Sequence, residues 1–236
     1  MSKVSPKQML VSIVIPVYNE EHTIGNVIER VQAAMKQTNL TYEIIVADDH
    51  SFDNSLMVAK MYPVQLYSLK AHVGKGMGLR AGFAKAKGDI IVTIDSDGSH
   101  RPEELPKLLY PLLNDRADLV IGSRYLHQKN VAAKKLNVFG VKFFNLIIQM
   151  FIGVHVTDSQ SGYRAMKREV LEIQHLKSGG YEIETEMLVK TVKSHYRVLE
   201  VPISFEQRTY GRSGIDHLYD GSRILISIIS ARLRRV

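Results

Sequence analysis

Five short runs rich in Val, Ile and Leu, separated by stretches with helical spacing, constrain this chain more than any other feature. The runs fall at residues 11–17, 43–47, 64–69, 89–94 and 118–121. Between them the periodicity predicts helices over 20–36, 54–62, 77–87 and 102–113; the first places Ile24, Val27, Ile28, Val31 and Met35 on one side. Pro102 falls in the first turn of its helix, where a missing N–H costs nothing. Strands alternating with helices require right-handed crossovers, hence a mostly parallel central sheet with helices on both faces, an α/β fold.

The second half is less regular. Residues 139–156 form a strongly apolar stretch, interrupted by Lys142, Asn145 and Gln149. It reads as a buried helix or one lying in a membrane interface, burial being the commoner outcome. Helices are expected over 168–176 and 182–193 and a strand over 198–205. A terminal helix over 217–236 carries Leu218, Ile224, Leu225, Ile228, Ile229 and Leu233 beside Arg223, Arg232, Arg234 and Arg235. An apolar face ending in arginines suits an anionic membrane surface; a packed helix with a solvated end has the same pattern. The expected division is a catalytic domain over 1–215 followed by a basic amphipathic helix over 216–236.

The polar residues that end the apolar runs carry the chemistry. Asp95 and Asp97 follow the fourth run, at the C-terminal edge where open α/β sheets bind ligands. Two carboxylates there invite a hard divalent cation, and such a cation invites a diphosphate. Asp-x-Asp alone is also a common turn. Gly74-Lys75-Gly76-Met77-Gly78 lacks the spacing and hydroxyl of a P-loop. It reads as a flexible loop with Lys75 free to approach a phosphate, or as a turn with a solvated lysine. No Gly-x-Gly-x-x-Gly follows the first run, so an ordinary dinucleotide fingerprint is missing. The chain has no cysteine, which excludes disulfides and thiolate metal sites and suits a reducing cytoplasm. A formal charge of +7 is compatible with nucleic acid, anionic membrane or a polyphosphate ligand. The arginines are dispersed or terminal and no nucleic-acid motif appears, so no nucleic-acid partner is expected. The N-terminus is polar, without a secretory signal, and no charge-free apolar run reaches the ~20 residues that span a bilayer.

Pro16-Val17-Tyr18-Asn19-Glu20, Asp48-Asp49, Asp95-Ser96-Asp97, Gly122-Ser123-Arg124-Tyr125, the run from Asp158 to Arg164, and Arg208-Thr209-Tyr210-Gly211-Arg212-Ser213 occur in that order. Together they resemble the family 2 inverting glycosyltransferases with the GT-A fold, nearest to the dolichol- and polyprenyl-phosphate sugar synthases. The resemblance covers roughly residues 10–215. It implies that Pro16, Tyr18, Glu20 and Asp49 line a base and ribose pocket, and that Asp95 and Asp97, with Ser96 between them, hold Mg²⁺ or Mn²⁺ against a diphosphate. It implies that Arg124 and Arg208 bind phosphate oxygens, Arg124 also serving as a clamp for an acceptor phosphate. Lys134 and Lys135 lie near in sequence. Asp158 orients an arginine, contacts the sugar, or caps a loop. The expected catalytic set is Asp97, Arg124, Asp158 and Arg208.

Two positions depart from the mannose-synthase pattern. Gly214 stands where that pattern has a lysine on the diphosphate, with Arg212 two residues earlier as a substitute, and Ser99 stands where it often has a glutamine. The donor is therefore left open between GDP-mannose and a UDP-sugar. A phosphate monoester, with a second pKa of about 6, needs positioning more than deprotonation, whereas a sugar hydroxyl needs a general base. The chain has no tryptophan, so the Gln-x-x-Arg-Trp motif of the processive hydroxyl-acceptor branch is absent. The expected activity is transfer of a hexose to a polyprenyl or dolichyl phosphate, by a protein peripheral at the cytoplasmic face of a membrane, with a small membrane subunit as a further partner. The rivals are transfer to a hydroxyl-bearing glycan, with Glu182, Glu184 or Glu186 as base, a nucleotidyltransferase, and a basic nucleic-acid-binding module.

Overall fold

The computed structural model describes residues 9–126, 135–206, 208, 210 and 217–233. In chain order the elements are β1 (Leu10–Val17), α1 (Ile24–Lys36), β2 (Thr41–Asp48), α2 (Ser55–Ala59), β3 (Gln65–Ser68), α3 (Lys75–Lys85), β4 (Ile90–Thr93), α4 (Leu105–Leu113), β5 (Leu119–Ser123), α5 (Lys135–Ile152), β6 (Arg164–Lys167), α6 (Arg168–Glu172), α7 (Ile183–Lys193), β7 (Val198–Pro202) and α8 (His217–Leu233). A 3-10 turn, Pro102–Glu104, leads into α4.

The strands form one sheet in the order β3-β2-β1-β4-β6-β5-β7. All neighbours run parallel except β6, which lies antiparallel between β4 and β5. The period-two alternation of strand side chains divides the core. On β1, Val11, Ile13, Ile15 and Val17 enter one core with α1 and α4, while Val14 enters a second with α3, α5, α7 and α8. On β2, Ile44 and Val46 face the first core and Ile45 and Ala47 the second. Pro16 is tolerated in a central strand because β4 pairs with β1 only through Val14. The Val14 carbonyl receives the Ile94 N–H; Pro16, two residues on, faces the same side beyond that pairing, where no ladder donor is needed.

The strands and helices of the first half fall where the periodicity puts them, within a few residues at each end. The C-terminal helix is packed into the domain, with Ile224 and Ile228 buried in the second core and Gly221 against Phe144 of α5. β6 is the element that sequence reading missed. It is four residues long and begins with an arginine, which disguises a strand whose Ala165 and Met166 are fully buried. Because β6 is reversed, its N-terminal end comes to the same sheet edge as the C-terminal ends of β4 and β5. Gly162 and Tyr163 thereby join the residues that follow β1, β2, β4 and β5.

Candidate active site

Asp95 to Gly98 form a turn directly beyond β4. Asp97 Oδ1 accepts hydrogen bonds from the Ser99 N–H at 3.0 Å and the Ser99 hydroxyl at 2.7 Å. Ser99 therefore orients Asp97, leaving Oδ2 turned toward Arg208, whose Nη1 is 3.9 Å away. Asp95 Oδ1 lies 2.7 Å from Lys75 Nζ, and its Oδ2 3.7 Å from His100 Nδ1. Burial raises the Asp95 carboxyl, but Lys75 and then His100 act the other way and hold it near 2. Ser96 is buried between the two aspartates.

Gly162 is there because nothing larger fits. A Cβ on it would stand 2.6 Å from both Asp95 carboxylate oxygens. The Thr93 hydroxyl donates to the Gly162 carbonyl at 2.7 Å and fixes that approach. Gly162→Ala should push the Asp95 carboxylate out of place and lower catalytic turnover by about a hundredfold, the usual cost of ~1 Å misplacement at a reacting centre. Steady-state rates beside a circular dichroism spectrum test this; an alanine variant with unchanged turnover refutes the close packing.

The base and ribose set implied by the resemblance separates in space. Tyr18 stacks on His72, with ring centroids 3.8 Å apart and planes at 17°. His72 Nδ1 is 2.7 Å from Asp49 Oδ2. Asp49 also accepts the Val73 and Gly74 N–H groups, each at 2.8 Å, so its carboxylate holds the 72–74 loop. Glu20 instead pairs with Arg208 Nη2 and accepts the Thr23 hydroxyl at 3.0 Å. Burial keeps its carboxyl above the ordinary value despite Arg208. Pro16 is buried inside β1, beneath the edge. Arg212 and Lys134 lie outside the described residues.

Three expectations are corrected. Lys75 is not free: it opens α3 with Nζ also 2.8 Å from Glu184 Oε1, half-buried between two carboxylates. Burial opposes its charge, and those two carboxylates more than restore it. Arg124 does not present its fork to the site. Nε and Nη2 are bonded to Asp158 at 2.7 and 2.8 Å, and the guanidinium lies over Tyr125 and Phe205. Asp158, fully buried, thus orients an arginine, one of the three roles open to it. Glu182 and Glu186 are not bases in waiting. Glu182 accepts from the Gly179 and Gly180 N–H groups and from Arg223; Glu186 accepts from the Lys177 and Ser178 N–H groups and pairs with Lys190.

His100 escaped notice although it stands three residues after Asp97. It is buried beside Tyr163, its ring nitrogens have no hydrogen-bond partner among the described residues, and burial holds it below the ordinary imidazole value. A cavity of ≈ 410 Å³ between α7 and α8 is lined by Glu182, Glu186 and Arg223 and by none of the aspartates beyond β4.

Among the described residues no three His, Cys, Asp or Glu side chains converge as a complete metal cage. The two aspartates still suit a hard cation such as Mg²⁺ or Mn²⁺, which commonly takes one or two carboxylates and completes its shell with substrate phosphate and water.

The sequence profile of Glycosyl transferase family 2 matches residues 12–173. A UDP-N-acetylglucosamine–dolichyl-phosphate N-acetylglucosaminyltransferase from Methanococcus voltae is 30% identical, over 96% of this chain and 98% of its own length. A dolichol-phosphate mannosyltransferase from Pyrococcus furiosus is 34% identical, over 87% of this chain and 59% of its own length. A polyprenol monophosphomannose synthase from Mycolicibacterium smegmatis is 33% identical, over 85% and 79%. Among solved structures, glucosyl-3-phosphoglycerate synthase from Mycobacterium tuberculosis, crystallised with Mn²⁺, uridine diphosphate and phosphoglyceric acid, superposes with a TM-score of 0.75 at 23% identity, covering 97% of this chain and 80% of that one. That likeness shows the shared GT-A fold.

Proposed function

The chain belongs to glycosyl transferase family 2, and from that membership we propose that it transfers a hexose from a nucleotide-diphosphate sugar to a polyprenyl phosphate, with inversion at the anomeric carbon. The observation that carries the reading is the cluster of Asp95, Asp97, Arg208 and Glu20 at one sheet edge, in a chain whose relatives are named for dolichyl- and polyprenyl-phosphate transfer. A divalent ion, Mg²⁺ or Mn²⁺, held by Asp95 and Asp97 would supply neutralising charge for the leaving nucleoside diphosphate. Ser99 sets the orientation of Asp97, and Arg208, bridging Glu20 and Asp97, offers fixed donors for phosphate oxygen. Arg124 is held and neutralised by Asp158 on the side toward the second half of the chain.

Glu182 and Glu186 are engaged by backbone N–H groups and basic side chains, and Glu184 by Lys75. That supports an acceptor needing no general base, a phosphate rather than a hydroxyl. No described helix is long and apolar enough to cross a membrane. α5 nevertheless exposes Phe143, Leu146 and Met150 (71% exposed) at helical spacing, an apolar patch of the kind that rests on a lipid surface. Placement of that patch at the membrane belongs to the same proposal. Leu146→Glu with Met150→Glu should reduce co-sedimentation with anionic vesicles at least fivefold without changing the thermal midpoint; undiminished binding removes the patch from the proposal.

The direct test incubates purified protein and Mn²⁺ with labelled UDP- and GDP-sugars, supplying either polyprenyl phosphate in vesicles or soluble oligosaccharides. The expected product is a lipid-linked sugar whose anomeric configuration is opposite to the donor's. Transfer to oligosaccharide alone overturns the acceptor, and retained configuration overturns the mechanism.

A further inference from the structure

Lys75 occupies a place that a cation needs. Its ammonium is 2.7 Å from Asp95 and 2.8 Å from Glu184, a residue 109 positions later in the chain. The backbone on both sides of it is pinned. Gly74 adopts φ +102°, and a Cβ there would stand 2.6 Å from the Gly179 carbonyl oxygen; one on Gly76 would stand 2.7 Å from Gly179 C and from Ser178 O. The Met77 N–H donates to Gly179 O at 3.2 Å. The 177–180 strap is itself held from below, by Glu182 on the N–H groups of Gly179 and Gly180 and by Glu186 on those of Lys177 and Ser178. Three separate constraints therefore aim one lysine at Asp95. Glu184 is 2% exposed, and its Oε2 has no hydrogen-bond partner among the described residues. An ammonium has three donors, so Lys75 can leave Asp95 and remain neutralised on Glu184.

A divalent ion on Asp95 and the Lys75 ammonium repel one another at this range, and the site is partly screened from water. A diphosphate arriving with the metal changes the balance, since its negative charge attracts both cations. We infer that Lys75 is the resident counter-ion of the Asp95 seat, exchanged for a divalent metal only when a nucleoside diphosphate accompanies it, so that metal and nucleotide bind as a unit. The inference rests on the reading that Asp95 and Asp97 hold the metal. Lys75 is then a positioning residue for the metal rather than a mere structural pair.

Equilibrium dialysis of Mn²⁺ against the full chain tests it without any turnover. Wild type should bind Mn²⁺ alone at least tenfold more weakly than it binds Mn²⁺ with UDP or GDP. Lys75→Met should bind Mn²⁺ alone at least tenfold more tightly than wild type. If Lys75→Met does not fold, Lys75→Met combined with Glu184→Gln, which removes opposite charges together, should show the same gain. Equal affinity for Mn²⁺ alone in wild type and the folded variant, within twofold, overturns the inference while leaving nucleotide-dependent metal binding intact. Wild type that retains no Mn²⁺ with either nucleoside diphosphate overturns the metal reading and the inference together.

Discussion

Asp97→Asn should lower sugar transfer by about a thousandfold, equivalent to about 4 kcal/mol of transition-state stabilisation, while leaving the fold intact. Lewis-acid neutralisation of a leaving group is worth several kcal/mol, and Asp97 is the carboxylate whose loss isolates that effect. It is partly exposed, and its oriented oxygen rests on Ser99 of its own turn. Asparagine keeps an acceptor for Ser99 and removes only the charge. Asp95→Asn is the less informative change, because it also strips Lys75 of one of its two carboxylate partners and mixes stability with chemistry. Initial rates in vesicles with labelled donor across a Mn²⁺ titration, set beside thermal midpoints, give the answer. A loss smaller than tenfold at saturating metal would remove Asp97 from the reacting centre.

Arg164→Met should cost about 4 kcal/mol of folding stability, with a urea midpoint lower by roughly 2 M for a slope near 2 kcal/mol/M. Arg164 is fully buried, and among the described residues no carboxylate hydrogen-bonds to it. Its guanidinium donates to three backbone carbonyls: Ser161 at 2.8 Å, Glu184 at 2.6 Å and Ser159 at 2.6 Å. Burial lowers its pKa, against the pull of Glu184 and Asp158, to about 10, so it remains charged at neutral pH. Methionine fills much of the volume but leaves three buried acceptors unpaired, each worth about 1–3 kcal/mol and together less than additive. Total stabilities are commonly about 5–15 kcal/mol, so this one change consumes a large part. Arg164→Lys should recover part of the loss, because an ammonium supplies donors without the planar spread of a guanidinium. An unaltered urea midpoint for the methionine variant would show that the 159–161 segment and α7 do not depend on this strut.

The two predictions also show what could be read from sequence. The place of Asp97 was legible because its signal is local: a run of Ile and Val, then acid, at the C-terminal edge of a parallel strand. The same holds for β1 to β5, whose apolar alternation is decided within each strand. Arg164 was legible only as part of a motif, since an arginine on a strand signals solvent or ligand and not three carbonyls of its own chain. Lys75 failed for a related reason. Nothing near a Gly-rich loop announces Glu184, which reaches it only after the chain has passed through β6 and α6 and entered α7. Arg124 was expected at phosphate because the fork suits it; the fork suits Asp158 equally, and burial of that carboxylate decides the pairing. Tyr18 and Asp49 were placed in one pocket, and they do converge, on His72, whose single side chain had no sequence signal.

Strand reversal at β6 has one more consequence. Ile121 pairs with Arg164, and the Gly122 N–H donates to the Tyr163 carbonyl at 2.9 Å. The chain from Arg124 to Gly162, which includes α5, thus leaves and re-enters the sheet at one clamped stem. Closing a loop grows costlier only by about 0.6 kcal/mol for each doubling of its length. Outside Arg124, the 158–162 run that packs on Asp95 and the buried side of α5, that excursion can lengthen or shorten while the turn carrying Asp95 and Asp97 stays where it is. Changes of length at the outer part of this excursion therefore leave the neighbouring carboxylates undisturbed.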